Sequence, residues 1–230
     1  MKRFFAILIT SALLLSACSH ENSGDNGDKT NNENNTTDSN HSKNSDSNQK
    51  KYKKVVKDGR TYIDGILIVN KEISLPSSYN PGEESESQQA LQQLFSDAQQ
   101  DGINLYKISG FRSYPTQVQL YNNYVERDGK EAADKYSARP GYSEHQTGLT
   151  YDVGGVNSDK NLYASFGETK EGQWIAKNAH KYGFIVRYPK GKESITGYQY
   201  EPWHLRYLGK DIATDVYHSD KTLEEYVGLK

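Results

Sequence analysis

Residues 143–152 read SEHQTGLTYD and place His145 seven positions before Asp152. Gly148 lies between them, and glycine allows the sharp bend that a turn leading into a strand requires. An imidazole nitrogen and a carboxylate oxygen are both suitable ligands for zinc. The spacing alone leaves two interpretations open: half of a metal site, or an ordinary turn that carries a surface histidine.

The segments around this stretch mix helical and strand patterns. Apolar residues at helical spacing predict helices at 87–100, 115–128, 130–136, 171–182 and 211–217. Short runs rich in β-branched and aromatic residues predict strands at 66–69, 103–108, 149–153, 184–188 and 198–207. The helices come early and the strands cluster later without regular alternation, and this order favours an α+β domain.

The beginning of the chain shows signs of export and lipid attachment. A basic start is followed by an apolar run shorter than the ~20 residues that span a bilayer. Leu15-Ser16-Ala17-Cys18 comes next and resembles the lipobox of bacterial lipoproteins, in which the cysteine is lipidated and becomes the new N-terminus. We predict a lipoprotein signal peptide at 1–17 and lipidation of Cys18, with a plain cleaved signal as the alternative.

A polar segment follows the predicted lipidation site. Residues 19–50 contain no aliphatic or aromatic residue, and such a composition cannot bury enough apolar surface to offset the entropy of ordering. We predict a lipidated, disordered linker at 18–51 and a folded domain at 52–230. The mature protein would then be anchored by lipid at the extracytoplasmic face of the cell membrane.

The composition argues against several other classes of protein. A formal net charge of −2 gives no electrostatic reason to expect a nucleic-acid partner. Cys18 is the only cysteine, so no intrachain disulfide can form, and no G-x-S-x-G stretch supports a covalent serine nucleophile. His180 and His218 neighbour charged or polar residues in predicted helices, and we expect both to be exposed.

A second candidate motif is EPWHLR at residues 201–206. A catalytic zinc takes three protein ligands and keeps one position open, and His204 could complete such a set with His145 and Asp152. Two ligands close together in sequence and a third far away would therefore form one centre.

Glu201 lies three residues before His204 and could take a proton from water beside a metal ion. Residues three apart on a strand normally face opposite sides of the sheet. Pro202 suggests a sheet edge or a bulge, either of which could bring the two side chains together. The alternative is a structural Glu201 that pairs with Arg206.

Three motifs in order resemble the VanY-type zinc D-alanyl-D-alanine carboxypeptidases and their L,D-carboxypeptidase relatives. These motifs are SGFRS at 109–113, SEHQTGL at 143–149 with Asp152, and EPWHLRY at 201–207. The likeness covers roughly residues 66–217. It implies a single compact domain with helices packed on a small, mostly antiparallel sheet, similar to the zinc DD-peptidase and Hedgehog-like fold.

The resemblance also implies a role for each matching residue. His145, Asp152 and His204 would hold one zinc ion per chain, and Glu201 would be the general base. Arg112 would be the cation that stabilises the oxyanion of the reaction.

Two more residues are implied to bind substrate, and one pair departs from the family pattern. Ser143 and Gln117 would contact the substrate. Relatives often carry alanine and an apolar residue where this chain has Thr150 and Tyr151, and this change could reshape the pocket wall without removing any chemistry.

The implied activity is removal of the C-terminal D-alanine from peptidoglycan stem peptides, by a monomer. An L,D-carboxypeptidase that acts on tetrapeptide stems would use the same residues. A non-catalytic cell-wall-binding module is a third interpretation, but such a module needs no general base, and a complete residue set argues against it.

Overall fold

The computed structural model describes residues 51–230. The predicted signal peptide at 1–17, Cys18 and nearly all of the predicted linker lie outside the described residues and stay predictions. No helix within residues 51–230 combines the length and the apolar character needed to cross a membrane.

A three-stranded antiparallel sheet opens the described chain. It consists of β1 (Lys54–Lys57), β2 (Arg60–Ile63) and β3 (Ile66–Ile68). Asp-Gly pairs connect the strands, and all four of these turn residues have positive φ, as type I′ hairpin turns require. Only β3 was predicted, although two Asp-Gly pairs between β-branched runs are a strong hairpin signal.

A four-stranded antiparallel sheet forms the centre of the domain, with the strand order β4-β5-β7-β6. The strands are β4 (Leu105–Ser109), β5 (Thr150–Gly155), β6 (Phe184–Tyr188) and β7 (Glu201–Tyr207). Every residue of the two central strands, β5 and β7, is buried. The segment 198–200, predicted as strand, precedes β7 without regular structure.

Seven α-helices surround the two sheets in the described part of the chain. They are α1 (Ser85–Gln100), α2 (Tyr114–Asp128), α3 (Lys130–Tyr136), α4 (Lys170–Asn178), α5 (Glu193–Thr196), α6 (Lys210–Ser219) and α7 (Leu223–Tyr226). The prediction of one α+β domain with helices on antiparallel strands is confirmed, while α5 and α7 were not predicted.

The main core lies between one face of the central sheet and the helices α1 and α4. Tyr151 and Leu205 are cross-strand partners on β5 and β7, and both side chains belong to this core together with Leu94 and Ile175. Because side chains alternate along a strand, the next cross-strand pair, Asp152 and His204, faces the opposite side. That opposite face carries the candidate site.

The expected exposure of His180 is wrong. After α4 the chain continues as a 3₁₀ turn over Ala179–Tyr182, and His180 is buried there. Its ring stacks on Tyr217 of α6 with a centroid distance of 3.8 Å. Neighbouring lysines indicated a solvent-exposed helix, but α6 packs over this turn. His218 is exposed, as expected.

Candidate active site

A 3₁₀ turn over Glu144–Thr147 positions the first candidate ligand. Gly148 ends the turn with a φ of +75°, a left-handed conformation that glycine adopts at little cost. The carbonyl of His145 accepts a hydrogen bond from the Arg112 amide at 3.1 Å, and that of Gly148 accepts one from Glu84 at 2.9 Å. The sharp bend predicted at Gly148 is therefore present and anchored on both sides.

We expect Gly148→Ala to destabilise the domain strongly. A β-carbon at this position would lie 2.0 Å from the carbonyl oxygen of Gly82. The left-handed backbone adds about 1–3 kcal/mol of strain for a residue with a side chain. Gly191→Ala is the matched control, because Gly191 has a φ of +80° but no atom near the added carbon.

Thermal unfolding of the two variants separates the two causes. Gly148→Ala should lower the free energy of unfolding well beyond Gly191→Ala, since only Gly148 adds a clash to the backbone strain. Equal losses in both variants would show that the contact with Gly82 contributes nothing.

The register between β5 and β7 brings the three candidate ligands together. Asp152 lies directly opposite His204 across these strands. Asp152 Oδ2 is 3.3 Å from His145 Nε2, and Asp152 Oδ1 is 3.4 Å from His204 Nδ1. One candidate ligand atom from each residue lies within 4.8 Å of the other two, and all three residues are buried. The three residues thus form a group that could hold a metal ion.

An irregularity in the β6–β7 register places Glu201 in the same site. Val186 of β6 pairs with Leu205 of β7. Tyr188 lies two residues after Val186, yet it pairs with Glu201, which lies four residues before Leu205. Glu201 Oε2 consequently lies 3.5 Å from His204 Nδ1. The predicted departure from regular strand geometry is present as this register shift, whereas a sheet edge is wrong because β7 lies between β5 and β6.

The alternative pairing of Glu201 with Arg206 is also wrong. Arg206 Nη1 donates to Glu144 Oε1 at 2.9 Å, and its Nη2 donates to the carbonyl of Leu67 at 2.6 Å. Both bonds direct the guanidinium away from Glu201. The carboxylate of Glu201 is thus left facing the histidines.

The chemistry of the three residues fits a metal ion. His145 Nδ1 lies 2.8 Å from the carbonyl oxygen of Gly110; since a carbonyl only accepts, Nδ1 carries the proton and Nε2 presents a lone pair. Burial lowers the pKa of His145, which favours the neutral form that metals bind. Asp152 Oδ1 is buried without a hydrogen bond among the described residues, as expected of an oxygen that serves as a metal ligand.

The surroundings of His204 favour positive charge. Burial alone would lower its pKa, but its contacts with Asp152 and Glu144 outweigh this effect and raise the pKa to about 9. Burial raises the pKa of Glu201 to about 7, against the opposing effect of His204. A cation bound beside Asp152 would satisfy this negative environment in place of a proton.

These side chains line one cavity of about 880 Å³. His145, Asp152, His204 and Glu201 contribute to its wall, as do Arg112 and Ser143. Tyr124 of α2 and Tyr163 also line the cavity. Its volume falls within the ~300–1,000 Å³ typical of small-molecule sites.

Arg112 is held in the cavity wall by neutral partners. Its Nη1 donates to Gln117 Oε1 at 3.0 Å and its Nη2 donates to Ser109 Oγ at 3.2 Å. Gln117 is fully buried, and its Nε2 donates to the carbonyl of Ala138 at 2.6 Å. The observed contacts of Gln117 orient Arg112, and its predicted contact with substrate stays a prediction, as does that of Ser143.

The pair that departs from the family pattern does not line the cavity. Tyr151 is fully buried in the core, where its hydroxyl lies 2.8 Å from Ser87 Oγ and its ring packs against Phe184. Thr150 is buried as well. Because neither residue lines the cavity, the change does not alter the pocket wall. At Tyr151 it affects packing against α1 instead.

Sequence reasoning missed a group of buried charges beside the site. Glu144 accepts hydrogen bonds from Arg187 and Arg206, and Arg187 also binds Glu224 of α7. A usable signal is the presence of an arginine inside each of two predicted strands, at 184–188 and 198–207, since an arginine that becomes fully buried is almost always paired.

A site in which two buried histidines and a buried aspartate lie beside a buried glutamate and a partly buried arginine is typical of metal-dependent hydrolases. The chain belongs to the VanY family of D-alanyl-D-alanine carboxypeptidases, whose profile matches residues 82–210. The family resemblance inferred from the three motifs is therefore confirmed.

Relatives support this assignment. The chain is 41% identical over 180 residues to the putative carboxypeptidase YodJ of Bacillus subtilis (strain 168), and the match covers 70% of this chain and 66% of YodJ. The chain thus spans just under two thirds of that relative's length.

Solved structures agree with the fold. An L,D-carboxypeptidase, DacB from Streptococcus pneumoniae, superposes with a TM-score of 0.70 and 48% identity, covering 77% of this chain and 96% of DacB. A variant of the vancomycin resistance D,D-pentapeptidase VanY, in complex with Zn(II), gives a TM-score of 0.61 and 33% identity, covering 70% and 97%.

Proposed function

We propose that this protein is a zinc carboxypeptidase that removes the C-terminal D-alanine from peptidoglycan stem peptides. The observation that carries the proposal is the convergence of His145, Asp152 and His204 with Glu201 and Arg112 in one cavity. The zinc-containing D,D-pentapeptidase VanY, at 33% identity, supports both the metal and the reaction.

His145, Asp152 and His204 would hold the zinc ion. When bound, zinc supplies a Lewis acid that polarises a carbonyl and makes a nearby water easier to deprotonate. Glu201 takes a proton from the attacking water and later gives it to the departing amine of D-alanine. Arg112 carries a permanent positive charge beside the site and stabilises the negative charge that grows on the carbonyl oxygen.

An L,D-carboxypeptidase is the second candidate function. It is favoured by the higher identity, 48%, to the pneumococcal L,D-carboxypeptidase DacB than to the D,D-pentapeptidase. Both activities remove a terminal D-alanine with the same chemistry. They differ in the length of the stem peptide and in the configuration of the residue before the scissile bond.

Mass spectrometry of defined stem peptides tests both candidates. We expect the zinc-loaded protein to remove one alanine from a pentapeptide stem, and a chelator to abolish the release. Release from tetrapeptide stems alone would support the L,D alternative instead. No zinc-dependent release from either stem would contradict both and favour a non-catalytic wall-binding module.

We propose in addition that Cys18 is lipidated and tethers a monomeric domain to the extracytoplasmic face of the cell membrane. The lipobox-like Leu15-Ser16-Ala17-Cys18 and the apolar-free residues 19–50 support this arrangement. Fatty-acid labelling of wild type and Cys18→Ser tests it. We expect label only on the wild-type protein, and equal labelling of both would contradict the anchor.

A further inference from the structure

A buried carboxylate lies directly behind His204. Oε1 of Glu144 accepts both arginine hydrogen bonds, from Arg187 Nε at 2.8 Å and from Arg206 Nη1 at 2.9 Å. Oε2 has no hydrogen bond among the described residues, and neither has Nε2 of His204. These two buried atoms face each other at 3.5 Å.

We infer that Glu144 is a positioning residue that holds His204 in the orientation and tautomer required for metal binding. A carboxylate only accepts hydrogen bonds, so Oε2 favours a proton on Nε2 of the histidine. In the neutral imidazole that a metal ion binds, the lone pair is then on Nδ1, on the side of Asp152, 3.4 Å away. Ligating histidines commonly use their second nitrogen in this way, and the inference rests on the proposed zinc site.

The charges around Glu144 support a role beyond stability. Glu144, Arg187, Arg206 and Glu224 are all buried, and Arg187 binds Glu224 through Nη1 at 2.8 Å and Nη2 at 2.6 Å. Replacing buried ion pairs by apolar side chains of similar volume is often neutral or stabilising. Stability alone therefore does not account for four buried charges, whereas a fixed carboxylate behind a metal ligand does.

The network connects the site to distant parts of the chain. Glu224 lies in α7, near the end of the described residues, and also accepts a hydrogen bond from Asn70 at 3.4 Å. Arg206 reaches the carbonyl of Leu67 in β3. Glu144 itself is held directly by Arg187 and Arg206, and Glu224 contacts only the far side of Arg187.

Zinc affinity of Glu144→Gln and Glu224→Gln tests the inference. Both variants remove one negative charge from the same buried network, but only Glu144 faces His204. Competition with a chelator, on folded protein without substrate, gives the dissociation constants. We expect about 10–100-fold weaker zinc binding in Glu144→Gln and wild-type affinity in Glu224→Gln, even where both lose thermal stability.

Two results would overturn the inference: wild-type zinc affinity in folded Glu144→Gln, or an equal loss in Glu224→Gln. If Glu144→Gln does not fold, NMR of the zinc-loaded wild type decides. We expect the Nε2 proton of His204 to resonate downfield and exchange slowly with water, and rapid exchange would overturn the inference.

Zinc binding and alanine release, both measured on the wild-type protein, separate this inference from the proposed function. A wild-type protein that binds zinc but releases no alanine contradicts the carboxypeptidase activity and leaves the role of Glu144 intact. A wild-type protein that binds no zinc contradicts both.

Discussion

Glu201→Gln should reduce kcat about 10²–10⁴-fold while zinc stays bound. The amide keeps the shape of the carboxylate but cannot take a proton from water. Glu201 is buried beside His204 at 3.5 Å, and burial raises its pKa to about 7. Such a group can accept a proton near neutral pH and return it to a leaving amine, so its loss removes both transfers.

The measurement is alanine release from stem peptides, with metal content determined on the same samples. Glu193→Gln is the matched control, because Glu193 is an exposed glutamate in α5. The control should keep wild-type kcat. A metal-loaded Glu201→Gln protein with unchanged turnover would remove Glu201 from the mechanism.

Arg112→Ala should lower kcat about 10²–10³-fold, the usual effect of losing one donor to an oxyanion. The Nη2 atom of Arg112 lies 4.0 Å from Asp152 Oδ2, so the guanidinium borders the candidate metal site. The guanidinium is positively charged without any proton transfer during the reaction. Hydrogen bonds to Gln117 and Ser109 hold it in place. Such a preoriented cation acts mainly on charge that develops during the reaction.

Steady-state kinetics of Arg112→Ala and Arg112→Lys distinguish the possible roles. We expect Arg112→Lys to recover part of kcat, because lysine keeps the charge but loses the planar fork that binds Gln117 and Ser109 together. A higher KM with unchanged kcat would instead assign Arg112 to ground-state substrate binding.

Much of the fold could be predicted because its signals are local. Helical spacing of apolar residues indicated α1 and α2 to within a few residues of their observed bounds. The exposure of His180 could not be predicted, because α6, which covers it, is distant in sequence. The hairpin of β1 and β2 also has a local signal, the Asp58-Gly59 pair between two β-branched runs.

Within the site, the local sequence accounts for the position of some residues but not of others. His145 and Asp152 are close in sequence, and the positive φ of Gly148 lets the chain turn between them. The approach of His204 depends instead on the register of β5 against β7, and that of Glu201 on an irregularity between β6 and β7. Pro202 indicates a departure from regular strand geometry beside Glu201, but no residue pattern near either position specifies which residues pair.

The sequence by itself determined which residue types are present and where the chain bends, since turn conformation depends on a few neighbouring residues. The tertiary structure decided which of these residues share a site. It placed Asp152 opposite His204 and turned Arg206 toward Glu144 instead of Glu201. The physical reason is that strand register and the pairing of buried charges depend on packing across the whole domain.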